Sequence, residues 1–141
     1  MTVIYLAHSV HERQEGKRLQ KELEGLGYIV INPFYPETPR PDIEALDQLE
    51  IKPWDVTPEK GIEIVKQDLR AVRLSDMVVA KLPERRKTFG IPCEIMYAWM
   101  LHIPVYTVTI SMLKHPWVIT LSEKVYSTFD ELYEYLKGVS T

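Results

Sequence analysis

At 141 residues, 45% hydrophobic and 26% charged, the chain is sized for one globular domain spanning residues 1–141 and is too short for two. Its formal net charge of -3, with no concentrated basic face, excludes a nucleic-acid backbone as the main partner, and its single cysteine excludes a disulfide framework. No charged start followed by an apolar stretch marks a signal peptide and no apolar run approaches a membrane span, so the expectation is a cytoplasmic protein without a membrane partner, acting on a small molecule.

Residues 3–7, Val-Ile-Tyr-Leu-Ala, form a near-continuous apolar run, as in a strand buried on both faces. The charged segment 11–26 carries Leu19, Leu23 and Leu26 at helical spacing, with Gly27 placed to end the helix. Residues 28–31 read as a second strand. Five prolines, at positions 33, 36, 39, 41 and 53, break the stretch 32–57, which shows no sustained period beyond a short turn at 43–49. Long loops of this kind serve as lids or binding loops, and Phe34, Tyr35 and Trp54 are its aromatic residues.

Thr57 and Pro58 supply the N-cap and first position of a helix whose apolar stripe is Ile62, Val65, Leu69 and Val72. Residues 76–82 are the third strand. Pro92 reads as the first position of the next helix, with Ile91 as its cap; that helix carries Ile95, Ala98, Trp99 and Leu101 and stops before Pro104. A fourth strand spans 105–110, a short fifth lies within 118–125, and 128–137 closes the chain as a helix. This alternation predicts an α/β fold: a flavodoxin-like or Rossmann-like open parallel sheet of about five strands with helices on both faces. Ligands in such folds bind outside the carboxyl ends of the strands, here residues 8–12, the loop after Ile31, residues 83–94 and residues 111–116.

Glu94 lies in one of these segments. On the first turn of a helix begun by Pro92 it would feel the positive end of the macrodipole, which predicts a lowered pKa and an ionised, nucleophilic carboxylate. Asp68 forms a row with Ile64 and Val72 beside the apolar stripe, so it borders the buried face; a structural ion pair with Arg70 or Arg73 is the other reading. Helix rise and strand length put it below the upper rim of the sheet. Asp76 opens the third strand at its amino end, a structural position. Tyr5 sits mid-strand, where tyrosines are commonly core, although a buried hydroxyl requires a partner. Cys93 is a rival nucleophile with no histidine beside it in sequence. Ser9 is either the N-cap of the first helix or a ligand for a phosphate or sugar hydroxyl. The four histidines lack the paired spacing of a zinc site and no cofactor motif is present, so neither metal nor cofactor is expected.

Taken in order, Tyr5-Leu-Ala, Gln67-Asp68-Leu69, the run from Ser75 to Val79, Gly90-x-x-x-Glu94-Ile-x-Tyr-Ala98 and Ile103-Pro-Val resemble the nucleoside 2-deoxyribosyltransferase family, which includes deoxynucleoside 5'-monophosphate N-glycosidases. The resemblance covers roughly half of the chain. It implies a flavodoxin-like fold and cleavage of the bond between a nucleobase and deoxyribose, with Glu94 as nucleophile, Asp68 binding the sugar and assisting proton transfer to the base, and Tyr5 orienting Glu94. His8, Ser9, Arg13, Gly90 and His115 are then the substrate-binding candidates. His8, Pro92 and Met96 stand where glycines are common in the family. The implied partners are a nucleoside or nucleotide, a free nucleobase, and further copies of the chain in a homodimer or larger homo-oligomer, with residues 111–122 as the segment reaching a neighbour. Three functions stay open at this point: base exchange, hydrolysis of deoxynucleoside monophosphates, and non-catalytic nucleotide binding.

Overall fold

Five short strands, Val3–Ala7 (β1), Ile29–Ile31 (β2), Met77–Lys81 (β3), Val105–Val108 (β4) and Lys124–Tyr126 (β5), pair in parallel in the order β2-β1-β3-β4-β5. The computed structural model describes residues 1–37, 39–48 and 56–139. Between the strands run a 3-10 turn, Val10–Glu12, and the helices Arg13–Gly25 (α1), Pro41–Asp47 (α2), Pro58–Arg73 (α3), Gly90–Met100 (α4), Pro116–Leu121 (α5) and Phe129–Val139 (α6). This is the flavodoxin-like arrangement anticipated from the alternation of elements. Among the described residues no helix is long and apolar enough to cross a membrane.

Strand parity sorts the core into two layers. Ile4, Leu6, Val79, Tyr106 and Val108 point to one face and pack on Leu19 and Leu23 of α1 and Leu132 and Leu136 of α6. Tyr5, Ala7, Val78, Ala80 and Val105 point to the other, against Val72 of α3 and Ile91, Ile95 and Ala98 of α4. Gly27 ends the α1 connection with φ 99°, in the left-handed region that favours glycine. At the amino edge of the sheet the Asp76 carboxylate accepts the Val3 amide at 2.8 Å, the structural role its position suggests.

Three elements depart from the sequence reading. Helix α4 starts at Gly90 with Phe89 as N-cap, so Pro92 is its third residue rather than its first. Residues 118–125 hold the end of a short helix before the strand, because the His115 side chain caps α5 and Pro116 opens it. The expected turn at 43–49 is α2, and its last position lies outside the described residues. The stripe of α3 is also only partly core: Ile62 and Val65 are each 56% exposed, whereas Val72 is fully buried. A 16-residue helix is roughly 24 Å long and a five-residue strand about 17 Å, so the first turns of α3 overhang the carboxyl edge of the sheet.

Directly after β1 the His8 ring is buried against α1. Its Nδ1 donates to the Leu6 carbonyl at 3.1 Å, and a Cβ placed on Gly16 would meet its Nε2 at 2.2 Å. Glycine at position 16 is therefore the space that the imidazole occupies. Gly16→Ala is expected to destabilise the fold by roughly 1–3 kcal/mol through overpacking. The same substitution in a His8→Ala background should cost little, and denaturant unfolding of the double-mutant cycle reads that coupling.

Candidate active site

The chain runs from β1 outward to β2, then crosses back over β1 to enter β3, so the connections leaving β1 and β3 diverge and leave a crevice above the sheet. A cavity of about 460 Å³ occupies it. His8 and Ser9 form the β1 side, Lys87 to Gly90 the β3 side, Phe34 and Arg40 the wall from the proline-rich loop, and Val65, Asp68 and Leu69 the wall from the middle of α3. Glu94 and Cys93 of α4 complete it.

Glu94 is the fifth residue of α4, two positions deeper than the sequence reading placed it, and is 9% exposed. Tyr5, mid-strand in β1 and fully buried, donates its hydroxyl proton to Glu94 Oε2. Burial dominates the electrostatics here. Desolvation pushes the Glu94 pKa up to about 8, the Tyr5 hydrogen bond opposes that rise, and the Asp68 charge adds to it. The expected lowering by the helix macrodipole is thus corrected in sign: Glu94 is not on the first turn, and loss of water outweighs the dipole.

Asp68 is half-buried, and among the described residues it makes no hydrogen bond or ion pair, with Arg70 and Arg73 or otherwise. Desolvation raises its pKa to about 6, against the Arg40 charge and with that of Asp42. Tyr5 is held well above its ordinary value by burial, then by the charges of Glu94 and Asp68, so it stays a proton donor. Between about pH 6 and pH 8 the two carboxyl groups therefore hold one proton as a pair. A carboxylate and a carboxylic acid in one cavity supply a nucleophile and a proton donor together.

Across residues 4–129 the sequence matches the family model described as nucleoside 2-deoxyribosyltransferase. The chain belongs to that family. Its fold is similar to that of a 2-deoxyribosyltransferase from Bacillus psychrosaccharolyticus, at 15% identity over 96% of each chain with a TM-score of 0.70. A conserved protein from Enterococcus faecalis V583 is similar at 20% identity over 98% of each chain, with a TM-score of 0.71. Among curated proteins none matches the sequence.

In this member of the nucleoside 2-deoxyribosyltransferase family, the structure gathers some of the sequence-derived candidates and scatters others. Glu94, Asp68, His8, Ser9 and Gly90 line one cavity, with Tyr5 beneath it. Ser9 Oγ also accepts the His11 amide at 3.2 Å, the capping role, here of the 3-10 turn. Burial lowers the His8 pKa to about 4, so its ring is neutral, with Nε2 bare of any partner among the described residues. Arg13 is turned away from the cavity, its Nε on Asp47 at 2.6 Å and its Nη1 on the Val10 carbonyl. His115 lines a second, mostly apolar cavity of about 770 Å³, on the far side of the 87–89 segment, whose wall contains no carboxylate. Cys93 is exposed at the cavity mouth. Trp54 lies outside the described residues. Sequence reasoning missed Arg40, which stands between Pro39 and Pro41, and Lys87; a lone cation in a loop gives no periodic signal. Among the described residues no cluster of three His, Cys, Asp or Glu side chains is arranged to hold a metal ion.

The raised Glu94 pKa fixes a stability effect. Folded Glu94 titrates near pH 8 against an ordinary 4.5, so the folded state binds the extra proton, and stability from this group is complete below pH 4.5 and lost as pH rises through 8. Glu94→Gln, which keeps the shape and removes the titration, should be more stable than the parent by a few kcal/mol at pH 9 and lose that advantage at pH 4. Urea unfolding at the two pH values measures it.

Proposed function

We propose that the protein is a cytoplasmic enzyme that exchanges the base of 2'-deoxynucleosides through a covalent glycosyl-glutamate at Glu94. The observation that carries this reading is the pairing of Glu94 and Asp68 in one desolvated cavity with the Tyr5 hydroxyl on Glu94. Family membership and the shared fold support the same chemistry. The volume of about 460 Å³ lies in the range of small-ligand sites.

In the first step a Glu94 oxygen attacks the anomeric carbon of the sugar. The bond from that carbon to the base nitrogen breaks, its electron pair leaves with the base, and Asp68 delivers the proton that the base takes up. An ester between Glu94 and deoxyribose results. In the second step a nitrogen of the incoming base attacks the same carbon, the ester bond opens to restore the Glu94 carboxylate, and Asp68 recovers a proton from the acceptor. Two inversions retain the configuration. Tyr5 keeps Glu94 Oε2 oriented and favours its ionised form, which matters because the shared proton must reside on Asp68 when attack begins.

A second reading, hydrolysis of deoxynucleoside 5'-monophosphates, is favoured by Lys87 in the cavity wall, a cation placed to meet a phosphate. Arg13 and His115, expected to serve that role, lie elsewhere. We also propose assembly as a homodimer or larger oligomer, supported by Phe89 at 88% exposure and Trp117 at 64% around the apolar cavity. Light scattering giving a monomer mass would count against it.

Incubation with deoxyadenosine and free cytosine should yield deoxycytidine and adenine, with kcat/KM bell-shaped between limbs near pH 6 and pH 8. Below the window both carboxyls are protonated and there is no nucleophile; above it both are ionised and there is no donor. Glu94→Ala should abolish turnover. Release of base from monophosphates without exchange would select the hydrolase, and ligand binding without turnover, unaltered by Glu94→Ala, would select a binding module.

A further inference from the structure

Arg40 enters the cavity wall from the loop between β2 and α2 and is only 7% exposed. Its Nε and Nη2 grip the two oxygens of Asp42 at 3.3 and 2.9 Å, and its Nη1 donates to the Pro33 carbonyl at 2.9 Å. The guanidinium also lies 5.6 Å from the centre of the Phe34 ring. These contacts use three of the five N–H donors and give the buried charge its counter-ion. They also fasten the start of the proline-rich loop to the site, because Phe34 in turn meets the His8 ring edge-on at 5.0 Å.

Asp68 lines the same cavity as this guanidinium, without a hydrogen bond or ion pair of its own among the described residues. For a buried cation such as Arg40 the field reaches further than it does at the surface. We propose that Arg40 is a positioning residue for the reaction: it pins the loop over the cavity and, through space, sets how readily Asp68 gives and takes its proton, with Asp42 trimming that field from behind. This inference rests on the glycosyl-transfer reading for its catalytic consequence.

The electrostatics of Asp68 agree. Burial raises its proton affinity most, Arg40 holds the rise down and Asp42 adds to it. The same guanidinium bears on Tyr5 in the same sense. Among the described residues the other titratable groups at this cavity are Glu94 and Cys93 of α4, Tyr5 of β1 beneath it, His8 and His11 after β1, and Lys87 after β3. Without Arg40 the first proton of the pair would be held to higher pH, the two limbs would approach each other, and the interval in which the pair holds a single proton would narrow.

The test is a carboxyl-carbon NMR titration of Asp68 in the ligand-free protein, alongside the pH profile of kcat/KM. Arg40→Met should move the Asp68 titration and the acidic limb upward by about one pH unit. Asp42→Asn should move both downward, and Arg40→Lys should restore most of the parent position. Opposite shifts are the decisive feature, since a loop that had merely lost its anchor would lower activity at every pH and move neither limb. Titrations that stay fixed in Arg40→Met and Asp42→Asn, or that move in the same direction, overturn the proposal. Should circular dichroism show Arg40→Met unfolded, the downward shift of Asp42→Asn decides alone, its absence overturning the proposal. The titration needs no turnover, so a parent protein that exchanges no base would defeat the functional reading while leaving the Arg40 to Asp68 coupling separately measured.

Discussion

Removal of water from two carboxyl groups that share one crevice is the constraint around which this molecule is arranged. An isolated buried carboxylate costs several kcal/mol, and two that both ionise in one cavity cost more. The fold carries that cost with three devices. The middle of α3 brings Asp68 to the crevice from one side, the second turn of α4 brings Glu94 from the other, and β1 places the Tyr5 hydroxyl against Glu94 from below. Each device is anchored in the apolar layer between the sheet and α3 and α4, where Val72, Ile91, Ile95 and Ala98 close on Val78, Ala80 and Val105.

The proton shared by the pair links this arrangement to chemistry. Glu94 has the higher proton affinity of the two, and yet in the proposed reaction it is the group that must be ionised to attack. Tyr5 narrows that gap from the Glu94 side by donating to it, and in the proposed reaction a substrate seated between the two carboxyls would complete the inversion by presenting a basic nitrogen to Asp68. Access of water is the other variable of the proposed reaction, since a glycosyl-glutamate ester would open to water or to a base. Phe34 and Arg40, tied to His8 and Pro33, wall the crevice where that competition would be decided.

Much of the fold was legible because apolar runs of strand length alternate with helical periods, and short connections admit few topologies. Tyr5, Asp68 and Glu94 were legible through their order along the chain. What failed were quantities that depend on a few ångströms of tertiary placement. The start of α4 lies two residues ahead of Pro92 because the chain enters the helix at Gly90, and that shift moves Glu94 from a dipole-dominated site to a burial-dominated one. Asp68 looked too low to reach the crevice by helix rise alone, yet it lines the cavity wall beside Leu69. Arg13 and His115 were sensible ligands by position, but the Asp47 carboxylate and the amide of Trp117 claim them. Arg40 carried no pattern at all.

The most direct measurement is the site of covalent attachment. After rapid acid quench of the protein turning over a 2'-deoxynucleoside, peptide mapping by mass spectrometry should find one deoxyribosyl group on Glu94, absent from Glu94→Gln. Base exchange accompanied by a sugar attached instead to Cys93 or Asp68 would contradict the account.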